Sequence, residues 1–296
     1  MTQTIKIIEV GMRDGLQRET KVIIPTEQKV NMIHQLVKAG LKQIQVCSFV
    51  HPKQVPQMAD AEALCQQLTP YEGVAYSGLV LNLKGLERAQ AAGLKHIDMS
   101  VSASDSHSRK NANRSLAESL VDFEMMVKKA REMGLQIRAG IQCAFGYYEA
   151  DVSDDLVLEI AKQHLALGVD SLAIADSTGM ADPSHIQGML SKLDKITGDT
   201  IPIILHLHDT RGMGLANLLA GIQAGCRQFD TAFGGMGGCN FIPEALGNIP
   251  TEDTCNMLAA MGYETGIDIQ EVAQVSKSLE QMIGQKLPGK MYSLVN

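Results

Sequence analysis

Eight short segments rich in apolar and β-branched residues alternate with helical patterns along the 296-residue chain. This alternation predicts an α/β protein built as a single (β/α)8 TIM barrel. Several helical patterns end in a small residue and a glycine directly before the next strand, as the loops of such units require. The segment Gly11-Met-Arg-Asp-Gly15 after the first strand lacks the G-x-G-x-x-G pattern, which argues against an open, dinucleotide-binding sheet.

The predicted strands leave room for a helix after each of them. They span residues 5–10, 43–49, 75–81, 96–102, 136–143, 171–176, 201–208 and 228–233. In the intervening segments apolar residues recur at helical spacing, as at Val30, Ile33 and Val37. One further helical pattern covers 268–284. We therefore expect a catalytic barrel over 1–264 and a C-terminal helical extension over 265–296 that packs on the barrel.

Charge and composition exclude several classes of protein. The net charge is −7, and no long run of like charges suggests a nucleic-acid partner. The short basic patch Arg109-Lys110 is either a solvated loop or a phosphate or carboxylate contact. No apolar stretch approaches the ~18 residues of a membrane span, and the N-terminus has no targeting pattern.

The cysteine pattern indicates the redox environment. Six cysteines without a C-x-x-C pair favour reduced thiols, most of them in the core. We therefore expect a cytoplasmic protein without a membrane partner. A homodimer is compatible with a barrel of this kind, although the sequence identifies no interface.

Polar residues at the carboxyl ends of the predicted strands indicate the site, because barrel enzymes place their catalytic groups there. His206 and His208 stand two apart on the seventh strand, so both imidazoles project into the barrel mouth. Asp14 follows the first strand, which neighbours the eighth in a closed barrel. Two imidazoles with a carboxylate and an amide oxygen suit Mg2+, Mn2+ or Zn2+. The alternative is a hydrogen-bonded pair of core histidines.

Two further residues suggest carbanion chemistry. Arg13 is either a structural ion pair with Asp14 or a fixed positive charge that stabilises an anionic transition state. Cys239 lies in a glycine-rich loop after the eighth strand, where small residues let a loop close over a site. Its thiol could give a proton to a carbanion when the loop closes.

A set of motifs in this order resembles the 3-hydroxy-3-methylglutaryl-CoA (HMG-CoA) lyase family of the metal-dependent lyase and Claisen-synthase barrel superfamily. The resemblance spans about residues 5 to 290. The motifs are Gly11-x-Arg-Asp-Gly-Leu-Gln-x-Glu19, Ser48-Phe-Val-x-Pro-Lys53, Val55-Pro-Gln-Met58, Lys110-Asn-x-Asn113, His206-x-His-Asp-Thr210, Gly237-Gly-Cys239 and Gly247-Asn-x-x-Thr-Glu-Asp253.

The resemblance implies a retro-Claisen cleavage of a 3-hydroxy-3-methyl acyl-CoA into acetyl-CoA and a keto acid such as acetoacetate. It implies a divalent metal, Mg2+ or Mn2+ with Zn2+ as an alternative, held by Asp14, His206, His208 and Asn248. The catalytic residues it implies are Arg13, Asp14, His206 and Cys239. Residues implied to contact the substrate or CoA, or to orient a ligand, are Gln17, Gln45, Ser48, Asn111, Asp176 and Lys286.

The sequence departs from the family pattern at three places in the expected acyl pocket. Gln45 stands where the family has a glutamate, and Ala173 stands where it has a serine. The glycine loop continues as Asn240-Phe-Ile-Pro-Glu244 instead of Pro-Tyr/Phe-Ala. These changes indicate a paralogue that acts on a different 3-hydroxyacyl-CoA, or more slowly.

Two other functions remain open. A synthase or aldolase of the same superfamily would form carbon–carbon bonds and depend on a 2-keto acid. A protein without catalytic activity could instead retain a CoA or metal site. The retained Arg13, Asp14, both histidines and Cys239 argue against the second alternative.

Overall fold

The computed structural model describes residues 3–198, 200–238 and 247–295, in which eight parallel strands close into a barrel. Neighbours in the barrel follow chain order, and the last strand pairs with the first. The predicted fold class is confirmed, and each strand lies within two residues of its predicted bounds. The strands are β1 (Lys6–Glu9), β2 (Gln43–Ser48), β3 (Ala75–Val80), β4 (His96–Ser102), β5 (Gln136–Gln142), β6 (Ser171–Asp176), β7 (Ile203–Leu207) and β8 (Gln228–Thr231).

Helices cover the outside of the barrel. They are α1 (Thr26–Lys38), α2 (Ala61–Gln67), α3 (Leu83–Ala91), α4 (Asp105–Ala112), α5 (Leu116–Glu132), α6 (Asp154–Ala166), α7 (Pro183–Thr197), α8 (Gly214–Gln223), α9 (Thr251–Ala260), α10 (Ile269–Ile283) and α11 (Met291–Leu294). Among the residues just given, no helix combines the length and the apolar character that crossing a membrane requires.

Most of the hydrophobic core lies between the strands and this helical layer. Each strand contributes outward-facing apolar residues to one large cluster, to which the helices add their buried faces. A separate small cluster inside the barrel is formed by Ile8, Val10, Ala173, Ile204 and Ala232. The inner faces of the strands are otherwise polar in many places, which leaves room for a site in the barrel mouth.

Strand β2 contains a bulge that changes which of its residues face the barrel interior. Gln45 pairs with Ser77 and Cys47 with Gly78, so Val46 is an extra residue on β2. Val46 and Cys47 both join the outer core, and the Cys47 sulfur lies 3.8 Å from the sulfur of Cys65 on α2. After the bulge, Ser48 faces inward again. A regular strand would put residues three apart on opposite faces.

Helix α10 corresponds to the pattern predicted over 268–284. It packs against α1 and α9, with Leu279 fully buried. The Asp268 side chain caps its first turn, and Gly284 in the left-handed conformation ends it. The division of the chain at residue 265 stays a prediction, and variants of α10 can test how the segment contributes to stability.

Replacing Leu279 with alanine should lower the free energy of unfolding by about 2–5 kcal/mol, because a buried leucine leaves a cavity. Chemical denaturation followed by circular dichroism measures the change. Leu294 in α11 is 73% exposed, so Leu294→Ala should change stability by less than about 0.5 kcal/mol. Equally small effects at both positions would mean that α10 is not part of the folded core.

Candidate metal centre and cavity

Three buried or nearly buried side chains at the barrel mouth form a candidate metal centre. Asp14, His206 and His208 each offer one ligand atom, and these atoms lie within 4.8 Å of one another. Asp14 lies in a tight turn, Gly11–Gly15, directly after β1, and the two histidines lie at the end of β7. Leu207 between them is buried in the outer core. The predicted projection of both imidazoles to one side is confirmed.

Asp14 is held by donors on both oxygens. Its Oδ1 accepts hydrogen bonds from Arg13 at 2.5 Å and from Gln17 at 3.1 Å, and its Oδ2 accepts one from Asn248 at 2.7 Å. Burial acts to raise the pKa of Asp14, but the charge of Arg13 and the neighbouring groups outweigh it and hold the pKa well below its ordinary value. The group is therefore an ionised carboxylate, as a metal ligand must be.

The side-chain amide of Asn248 lies next to Asp14. Its Nδ2 donates to Asp14 and, at 3.0 Å, to the carbonyl of Met236. Because both partners only accept, the orientation of the amide is fixed. The buried Oδ1 then has no hydrogen-bond partner among the described residues. An oxygen that is buried without a donor is costly, and a cation next to Asp14 would satisfy it. The residues present therefore fit a divalent metal.

Glycines in the segments that follow β8 let the backbone approach the metal centre closely. A Cβ on Gly237 would lie 2.4 Å from Nδ2 of Asn248 and 2.9 Å from Oδ2 of Asp14, and its φ is +125°. A Cβ on Gly247 would lie 1.9 Å from the carbonyl oxygen of Gly235. Side chains at these positions would push the loop away from the centre.

Arg13 connects the metal centre to Gln45. Its Nε donates to Oε1 of Gln45, and its NH1 donates to Asp14. Because arginine only donates, the oxygen of Gln45 must face it and the amide nitrogen must point elsewhere. That Nε2 is buried and has no partner among the described residues. Gln45 thus offers two N–H donors that no neighbour in the described chain uses.

A cavity of about 410 Å³ opens beside this group. Of the residues predicted from the sequence, it is lined by Arg13, Asp14, Gln17, Gln45, Ser48, Asn111, His206 and His208. Ala173, one of the departures from the family pattern, lines it as well. The structure therefore brings most of the predicted site together. The bulge in β2 is what allows both Gln45 and Ser48 to face the cavity.

Two other predicted residues, Asp176 and Lys286, do not line the cavity. Asp176 is buried, and its carboxylate accepts the backbone N–H groups of Met180 and Ala181, so it holds the loop after β6. Burial raises the pKa of Asp176 to about 6. Lys286 is exposed and does not line the cavity, although Leu287 beside it packs against Gly234. Cys239, and the altered loop 240–244, lie outside the described residues.

The sequence analysis missed a buried chain of charged residues inside the barrel. Asp98 on β4 accepts hydrogen bonds from Arg138 on β5 and, at 2.6 Å, from Ser77. Arg138 also donates to Oδ1 of Asp230 on β8 at 2.7 Å. Oδ2 of Asp230 lies 2.9 Å from Nδ1 of His206. Each of these charged residues stands in an otherwise apolar strand. Because such strands are buried on both faces, a charge within one indicates a buried ion pair or a functional group.

Comparison with known proteins gives a consistent result. The HMGL-like family model matches residues 4–279. The cytoplasmic HMG-CoA lyase of Rattus norvegicus is 38% identical over 295 residues, covering 98% of this chain and 84% of that protein. The (R)-citramalyl-CoA lyase of Chloroflexus aurantiacus is also 38% identical and covers 97% and 93%. An HMG-CoA lyase structure from Acinetobacter baumannii, in complex with coenzyme A and 3-methylmalate, matches with a TM-score of 0.94 at 35% identity, covering 98% and 94%.

Replacing Asp14 with alanine should weaken Mn2+ binding to the metal-free protein by more than about 100-fold, because loss of an outer partner of a ligand already costs about 10- to 100-fold. Calorimetry or the Mn2+ EPR signal measures this. Asp209→Asn is the matched control, since Asp209 follows His208 but its carboxylate accepts the backbone N–H of Gly214. Unchanged binding in Asp14→Ala would place any metal elsewhere.

Proposed function

Because the chain belongs to the HMGL-like family, we propose that it is a divalent-metal-dependent carbon–carbon lyase that cleaves HMG-CoA, or a closely related 3-hydroxyacyl-CoA, into acetyl-CoA and a keto acid. The observation that carries the proposal is the convergence of Asp14, His206 and His208 beside Arg13 at the mouth of the cavity, together with the buried oxygen of Asn248, which has no partner among the described residues. The acyl part of the substrate would occupy this cavity.

The proposed metal ligands are Asp14, His206, His208 and Asn248. When bound, a divalent cation supplies Lewis-acid chemistry by lowering the pKa of the tertiary hydroxyl of the substrate. A mixed nitrogen and oxygen set is compatible with Mg2+ or Mn2+, which we favour, and with Zn2+.

The protein's own groups would carry the proton and the charge. One of the Asp or His side chains of the centre takes the hydroxyl proton, the bond between C2 and C3 breaks, and C3 becomes the carbonyl of the keto acid. The electron pair of that bond moves onto the thioester as an enolate. Arg13 lies where its fixed charge would stabilise the enolate oxygen. A proton delivered to C2, for which Cys239 is the candidate donor, completes acetyl-CoA.

Gln45 gives a specific reason to consider substrates other than HMG-CoA. The resemblance places a glutamate at this position, whereas Gln45 is neutral and has a buried amide nitrogen that donates to none of the described residues. Such a group favours a substrate oxygen that can accept a hydrogen bond. Together with Ala173 it alters the polar lining of the acyl pocket. A 3-hydroxyacyl-CoA with a different acyl group is therefore the second candidate.

HMG-CoA cleavage would place the chain in leucine degradation and ketone-body formation. Relatives are named for both cytoplasmic and mitochondrial forms, and we propose a cytoplasmic protein. A homodimer stays a prediction.

Incubation with a panel of acyl-CoA esters and Mn2+ or Mg2+, read by mass spectrometry, should release acetyl-CoA and a keto acid. Product formation only when a 2-keto acid and acetyl-CoA are added would instead support a synthase. Binding of CoA esters without any turnover would support the non-catalytic alternative.

Arg13→Met should lower kcat for the preferred substrate by about 10²- to 10³-fold, the usual cost of losing one donor to a developing oxyanion. Arg131→Met is the control, because Arg131 is exposed, pairs with Asp170 and does not line the cavity. Equal kcat values for the two variants would remove Arg13 from the proposed chemistry.

Gln45→Glu should change the order of substrates, raising kcat/KM for HMG-CoA relative to the substrate that the native chain prefers. The reason is that a carboxylate replaces two N–H donors beside Arg13. Steady-state assays of both proteins on the acyl-CoA panel measure the ratio. Full HMG-CoA cleavage by the native chain, unimproved by the substitution, would remove the reason to expect a divergent substrate.

A further inference from the structure

The buried charges inside the barrel form a continuous chain that ends on a proposed metal ligand. Ser77 donates to Asp98, Arg138 donates to Asp98 and Asp230, and Asp230 faces Nδ1 of His206 at 2.9 Å. The side chain of Asp230 is 2% exposed and that of Arg138 is 13% exposed. The chain runs from the wall formed by β3, β4 and β5 to the wall formed by β7 and β8.

Asp230 determines which nitrogen of His206 carries the proton. A carboxylate accepts hydrogen bonds, so Nδ1 of the neutral ring must be the N–H that donates to it. The lone pair is then on Nε2, which lies 3.1 Å from Nε2 of His208 and on the side of Asp14. A neutral imidazole can ligate a cation only through the nitrogen that has no hydrogen.

Arg138 fixes the orientation of Asp230. Its guanidinium donates a hydrogen bond to Oδ1 of Asp230, so that Oδ2 faces the imidazole of His206. Arg138 also donates to Asp98, which accepts a second hydrogen bond from Ser77. Burying two carboxylates and a guanidinium costs desolvation free energy that apolar side chains of similar volume would avoid, so stability alone does not account for them.

We propose that Asp230 is a positioning residue, which together with Arg138 keeps His206 in the Nδ1–H tautomer and directs the Nε2 lone pair toward a divalent cation. The inference rests on the metal site of the proposed function. It adds residues on β5 and β8 that the ligand set itself does not include.

Substituting Asp230 with asparagine tests this directly. Because Arg138 only donates, the new amide would turn its oxygen to Arg138 and its NH2 group to Nδ1 of His206. Nδ1 must then accept, and the ring proton moves to Nε2, where it blocks coordination. We expect the Mn2+ dissociation constant of Asp230→Asn to rise about 10- to 100-fold.

Asp98→Asn is the matched control. It makes the same chemical change at the other carboxylate partner of Arg138 and does not touch His206. The expected change in Mn2+ affinity is less than about twofold, within ordinary additivity error for distant sites. Thermal unfolding of both variants separates loss of metal affinity from loss of fold.

A second readout needs no substitution at Asp230. The metal-free protein is labelled with 15N-histidine and studied by NMR. Of the signals of the eight histidines, the one that disappears in His206→Gln belongs to His206. It should show a protonated Nδ1 and an unprotonated Nε2. A proton on Nε2 would overturn the proposal, even if Asp230→Asn does not fold. Equal loss of Mn2+ affinity in the two Asn variants would also overturn it. If the native chain binds no Mn2+, the metal site itself is wrong.

Discussion

The pairing of β8 with β1 is the constraint on which the site depends. It closes the barrel and brings the turn after β1 next to the segment after β8. Asp14 and Asn248, which are 234 residues apart in the chain, are thereby held 2.7 Å apart. The histidines of β7 complete the group because β7 is the other neighbour of β8. An open sheet of the same strands would leave the carboxylate and the amide at opposite edges.

Two buried arginines have different electrostatic surroundings in the same cavity. Arg138 lies between two carboxylates, so the negative charge of its partners exceeds its own positive charge. Within the described ranges, Arg13 has one carboxylate partner, Asp14, and one neutral partner, Gln45. The second arrangement leaves more positive potential available to an anionic ligand, although the whole molecule carries a net charge of −7. Local groups, and not the overall charge, must attract an acyl-CoA.

The fold and the residues of the metal centre could be predicted from the sequence, and the reasons can be named. Apolar runs bounded by glycine located the strands, and spacing placed His206 and His208 on one side. The charged chain through Arg138 was not predicted because its members are single residues on different strands, and its central contact joins β5 and β8, which are not neighbours in the barrel. The bulge at Val46 left no signal at all, since an extra apolar residue in an apolar strand changes no pattern. Ser48 is predicted both as a polar residue of the second strand and by the resemblance, whereas the bulge that turns it inward is visible only in the structure.

The bulge in β2 also affects whether βα units can be exchanged between barrels of this kind. Modular βα units are often regarded as interchangeable parts, provided that the length and hydrophobicity of the strand agree. Here β2 carries one extra residue, Val46. Because of it, the residues of β2 after Val46 face the opposite side of the strand from the side that regular alternation would give them. A transplanted β2 with the same number of residues but no bulge would still close the barrel, yet it would turn the residue at position 47 inward and the residue at position 48 outward. Whether a βα unit from another barrel would preserve the site thus depends on which of its strand residues face inward, and not on the length of its strand alone.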